Sequence, residues 1–258
     1  MPSMDIDQEL VSAAMDGDLG KVSEHLAQGA DPMSESSRAL RLAAKEGREE
    51  CVRLLLPVSD PVAEESCALR WAAENGHLEC VRLLLPGSDA QANAKALRAA
   101  ALYGHVECVR LLLPVSDAKA HESAALGAAA LYGHVECVRL LLPVSDPKAQ
   151  DSYALRGSAL YGHVECVKLL LPVSGALCEI DGLFEAVIES GQATMAALLV
   201  EAEPRLLDKI NLSQRLAAAL ENGHGNLASY LSSIIDEREI LGVAQDAQAC
   251  TGSRHARL

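Results

Sequence analysis

The chain is poor in the residues from which wide globular cores are usually built. Of its 258 residues only 3 % are aromatic: one Phe, one Trp and five Tyr. Half are apolar, so a core has to come from Ala, Leu and Val, which suits small, closely stacked helices better than a sandwich or barrel. Positive charge is also scarce, with 22 Lys and Arg against 36 Asp and Glu, a formal net charge of −14. A phosphate backbone needs a basic footprint, so no nucleic-acid partner is expected, and the acidic surplus favours a basic protein partner. Long apolar runs are missing too. The stretch from Val109 to Val115 contains Arg110 and is far shorter than the roughly 20 residues that span a bilayer. Met1 to Leu10 holds three acids and no apolar run, unlike a secretion signal. These absences predict a soluble chain with no membrane partner.

What the sequence does have is repetition. The string Glu-Cys-Val-Arg-Leu-Leu-Leu-Pro begins at Glu50, Glu79, Glu107 and Glu136, and recurs at Glu165 with Lys for Arg. The spacings are 29, 28, 29 and 29 residues. A fixed period in this range marks a solenoid, in which each unit buries its apolar face only against its neighbours.

Within a unit the pattern predicts two short helices. In the unit from Ser123 to Asp146, Ala125 to Tyr132 makes about two turns and ends at Gly133, where the chain can turn left-handed. A second helix follows from His134 to Leu142, with Val135, Val138, Leu141 and Leu142 on one stripe. Pro143 stops it. Ser37, Ser66, Ser123 and Ser152 stand where the N-cap of each first helix is expected.

The segment Ala72-Ala73-Glu74-Asn75-Gly76-His77-Leu78-Glu79, with Val81 to Leu85, closely resembles the ankyrin repeat core. So do Ala13 to Leu19 and Gly29 to Pro32, while Phe184 to Leu199 and Leu216 to His224 resemble it more loosely. The resemblance implies an all-α, ankyrin-like helical repeat solenoid. Its expected organisation is a capping repeat at 5–34, five regular repeats over 35–174, two divergent repeats at 175–240 and a disordered tail at 241–258. Ankyrin units usually run 33 residues, so this period implies shortened inter-repeat loops in place of the family's projecting hairpin fingers. The family's Thr-Pro-Leu-His motif is absent as well. Its His position holds Arg41, Arg70, Arg98, Gly127 and Arg156.

The His-x-x-Cys series at His77, His105, His134 and His163 invites a metal reading. Successive pairs would lie about one helix diameter apart, roughly 10 Å, too far to share one ion or to form disulfides. The cysteines are therefore expected to fill core positions as free thiols in a reducing, cytoplasmic setting, with no metal and no cofactor. Residues that recur in every unit are structural by default. The non-repeated ones (Trp71, His121, Tyr153, Cys178, Phe184 and Cys250) assemble no Ser/His/Asp set, phosphate-cradling loop or carboxylate pair. The chain is not expected to be an enzyme.

The resemblance implies a protein–protein interaction module: an adaptor, a scaffold or an effector, with an inhibitor or immunity protein acting on a toxin as the alternative. In the family the first helices line the concave face. Their outward positions here are polar in the first two regular units (Lys45-Glu46, then Glu74-Asn75 beside Trp71). In the next three they become Leu102-Tyr103, Leu131-Tyr132 and Leu160-Tyr161. An exposed apolar stripe of this kind marks an interaction site, and Tyr is common among binding hot spots. The protein-binding residues expected are Trp71 and these three Leu-Tyr pairs. The competing reading is that the ladder is duplicated core sequence, its Leu residues packing on neighbouring repeats.

Overall fold

The computed structural model describes residues 6–174, 180–208, 210–238 and 240. Among them every regular element is helical. The chain falls into two compact units, Met1–Ser174 and Gly175–Leu258. Cys178, Cys250 and the tail from residue 241, for which disorder is expected, lie outside the described residues.

The first unit is a stack of helix pairs: α1 (Ile6–Asp16) with α2 (Leu19–Ala27), α3 (Ser34–Lys45) with α4 (Glu49–Leu55), α5 (Ala63–Glu74) with α6 (Leu78–Leu84). Next come α7 (Ala90–Leu102) with α8 (Val106–Leu112), α9 (Ala120–Leu131) with α10 (Val135–Leu141), and α11 (Ala149–Leu160) with α12 (Val164–Ser174). Each first helix packs against the first helices before and after it. Pairs of small residues make this approach possible: Ala43-Ala44, Ala72-Ala73, Ala100-Ala101 and Ala129-Ala130 are fully buried at these contacts. One large residue per first helix (Leu40, Leu69, Leu97, Leu126, Leu155) and a Cys-Val…Leu set per second helix fill the space between.

The connections between pairs are shortened, as the 29-residue period implies. No strand forms among the described residues. The first three regular repeats instead close with a 3₁₀ turn holding Pro57, Pro86 or Pro114. A turn then follows in which Asp60 or Asp117 accepts from the backbone N–H two residues on.

The serines do not cap the first helices. Ser37, Ser66, Ser123 and Ser152 each end three consecutive residues in the left-handed region, with φ of 57° to 59°. Ser37 Oγ and Ser123 Oγ face forward and accept from the backbone N–H of Asp60 and Asp146 in the next repeat, both at 2.8 Å. The repeat that is one residue shorter differs. Its α7 starts without the left-handed turn, and Asp89 caps it by accepting from Ala92 N–H at 2.7 Å. Asn93 there takes over the link to the following repeat, donating to the Val115 carbonyl at 3.3 Å.

The second unit contains α13 (Ile180–Glu189), α14 (Ala193–Ala202), α15 (Leu212–Glu221) and a last helix, α16, over 225–238. Phe184, Val187, Leu199, Leu227 and Leu231 are buried in it. No helix among the described residues is long and apolar enough to cross a membrane.

Candidate protein-binding site

Each regular first helix ends in a glycine with positive φ, and in the first four of them the next repeat's histidine sits on it. A Cβ on Gly104 would fall 2.5 Å from His134 Nδ1. The His134 ring lies there because its Nε2–H donates to the Leu102 carbonyl at 3.0 Å. His77, His105 and His163 do the same to Lys45, Glu74 and Leu131 at 2.9 to 3.0 Å. The last carbonyls of a helix lack partners within it, so each histidine ring satisfies one and fixes the end of the preceding first helix. Two of these helix ends, at Leu102 and Leu131, carry the first two pairs of the Leu-Tyr ladder.

Leu102, Leu131 and Leu160 are the last residues of α7, α9 and α11, and Tyr103, Tyr132 and Tyr161 follow them as C-cap residues. The three tyrosines are 51 %, 56 % and 68 % exposed. The rings of Tyr103 and Tyr132 stack on His105 and His134 of the same repeats, with centroids 6.5 Å apart. Leu102 and Leu131 are half-buried and Leu160 is exposed. Leu131 also leans on the next repeat, its Cδ1 lying 3.0 Å from where a Cβ on Gly157 would be. The leucines thus share their surface between packing and solvent, while the tyrosines face outward. Trp71 is half-buried. The Arg41 guanidinium and the Lys45 ammonium of the preceding repeat stand 5.7 and 5.9 Å from its ring centroid, a cation–π arrangement.

Two adjoining hollows run along these first helices and share Arg98, Leu102, Ala124 and Gln150 as walls. One, of about 620 Å³, is bounded further by Arg70, Glu74, Lys95 and Tyr103. The other, of about 400 Å³, is bounded by Leu131, Tyr132, Gly127 and Tyr153. The sequence reading passed over Tyr153 as a site residue and missed the notch at Gly127. The signal was present: glycine interrupts a column that otherwise reads Arg41, Arg70, Arg98 and Arg156.

The two faces of the first unit differ in how charge is neutralised. On the second helices, Arg53, Arg82, Arg110, Arg139 and Lys168 all pair with a glutamate three or four residues earlier, at 2.7 to 3.6 Å. On the first helices, Arg98 and Arg156 are exposed and make no ion pair or hydrogen bond.

Cys51, Cys67, Cys80, Cys108, Cys137 and Cys166 are free and buried. Burial, with a smaller push from a neighbouring glutamate, raises the thiols of Cys108, Cys137 and Cys166 to about 11, and that of Cys80 likewise beside Glu49 and Glu79. They are held as neutral thiols, poor nucleophiles and poor metal ligands. Among the described residues no group of three or more His, Cys, Asp or Glu is placed to hold a metal ion.

Stacked helix pairs joined by short turns define a helical repeat protein. The family model for ankyrin repeats (3 copies) matches residues 10–96 and 86–151, together more than half of the chain. The chain belongs to the ankyrin repeat family, whose members are general protein–protein interaction modules. Its fold is similar to the crystal structure of the human ASB11 ankyrin repeat domain, at 25 % identity and a TM-score of 0.55, over 64 % of this chain and 83 % of that one. No curated protein matches the chain.

Proposed function

We propose that this chain is a non-catalytic adaptor or scaffold that holds a partner protein on the first-helix face of α5 to α11. Tyr103, Tyr132 and Tyr161 are the anchors, and Leu102, Leu131, Leu160 and Trp71 complete the surface. The observation that carries this reading is the exposure of three successive tyrosines at 51 % to 68 % in a chain with seven aromatic residues in all. A rigid amphipathic ring gives large contact area at little entropic cost. The helix ends that present Tyr103 and Tyr132 are held by His134 and His163.

The test replaces Tyr103, Tyr132 and Tyr161 together by Ala. A partner captured by the natural chain from its native cell extract is then titrated against both forms. Loss of such anchors costs about 2 kcal/mol or more at the best of them, so affinity should fall more than tenfold with the melting temperature nearly unchanged. A clear fall in melting temperature with undiminished binding would instead make the tyrosines part of the packing.

A further inference from the structure

We infer that the occupant of this face is an extended segment of a partner protein carrying two carboxylates, with one apolar side chain between them. The inference rests on the reading above and adds the chemistry of what is bound. The Gly127 notch, with Arg98 in its wall and Arg156 at the matching position of the following repeat, is the observation that assigns it.

The charge pattern points this way against the net charge of the chain. The body is acidic, at −14 overall, yet the second helices carry bases already matched to glutamates within the same helix. On the hollowed face Lys95 is held by Glu65, and Arg70 lies against Cys67 Sγ at 3.5 Å. Arg98 and Arg156 alone in this column stand exposed without a partner. A guanidinium offers five donors in a fork that matches a carboxylate in two-point contact.

Between them the column drops to Gly127. The missing side chain lets the Tyr153 ring pack onto buried Gly127, and the hollow of about 400 Å³ beside it is bounded in part by Leu102, Leu131, Tyr132 and Tyr153. Tyr153 Cδ1 reaches to 3.0 Å from the place of the absent Cβ, so the floor is aromatic and apolar. Two acids also border the notch. Asp146 already accepts from Lys148 N–H at 2.9 Å, and Glu122, exposed and without an ion pair, stands at the rim. Glu122 repels a third carboxylate, so the residue entering the notch is neutral.

Geometry sets the spacing. Packed helices lie roughly 8 to 10 Å apart, which places Arg98 and Arg156, two repeats apart, at roughly 16 to 20 Å. An extended chain rises about 3.3 Å per residue, so the two acids fall five or six positions apart with the apolar residue midway.

A random library of twelve-residue peptides selected on the full chain tests this. Enriched peptides are titrated at low and moderate salt against the natural chain, against Arg98→Glu/Arg156→Glu, against Gly127→Arg and against the triple Tyr→Ala variant. The expected peptides carry the acid, apolar, acid pattern. They should lose at least tenfold affinity to the charge-reversed form and to Gly127→Arg, and bind less tightly as salt rises. If charge reversal lowers the melting temperature, Arg98→Gln/Arg156→Gln replaces it, with the same loss expected. No enriched peptide, or peptides of another pattern, would overturn the inference. Peptides that lose the triple Tyr variant but ignore charge reversal would overturn the acidic occupant and leave the binding face standing. Peptides indifferent to both would overturn both.

Discussion

Gly104 and His134 show how single residues fix this molecule, since the glycine makes room for a ring that satisfies the Leu102 carbonyl. A glycine at the end of each first helix was legible, because turns of this kind need positive φ. Its contact with a histidine of the next repeat was not, because the two lie 30 residues apart and meet only through stacking. The cysteines were legible as core because they repeat in register with Val and Leu. Their burial carries a pH consequence. Folding raises Cys80, Cys108, Cys137 and Cys166 from 9.0 to about 11, so the folded state holds the proton more tightly. Their contribution to stability is complete below pH 9 and is lost as pH climbs from about 9 to about 11. Urea midpoints measured from pH 8 to 10.5 should fall, and a variant with these four cysteines replaced by Ala should fall less. Equal slopes would contradict this account of the thiols.

At the scale of elements, the period of the repeats placed the helices, and α4, α6, α8 and α10 begin and end within a residue or two of where Gly and Pro set them, whereas α12 runs on through Pro172 to Ser174. The starts of the first helices were misread. Ser stands at the right position for a cap, but the three left-handed residues turn its hydroxyl toward the next repeat. Three such residues cost roughly 1 to 2 kcal/mol each, and the shorter repeat avoids this cost by dropping one residue and capping with Asp89. Replacing residues 118–124 by the six found at 90–95 should therefore give the fourth regular repeat a regular helix start. Thermal unfolding of that chimaera is expected several degrees higher. A lower melting temperature would show that the left-handed turn is required for register between repeats.

For the molecule as a whole, the fold class could be read from period alone, since five near-identical strings leave little freedom in how they stack. The ladder of Leu-Tyr pairs was legible for the same reason: identical positions in identical repeats share one face. The distribution of free charge was not, because −14 is a sum and says nothing about which bases are already paired. The sequence therefore favoured a basic partner, whereas the exposed, unpaired Arg98 and Arg156 beside the ladder select for carboxylates at that face. The notch at Gly127 was likewise hidden, being made by an absent side chain and a tyrosine from the next repeat. The central claim is that binding takes place on the first-helix face. It is tested most directly by backbone amide hydrogen exchange on the full chain, with and without its captured partner. Added protection should concentrate at the ends of the first helices, around 98–103, 127–132 and 156–161, and leave 106–112 and 135–141 unchanged. Protection centred on those second helices, with the tyrosine segments exchanging as before, would contradict it.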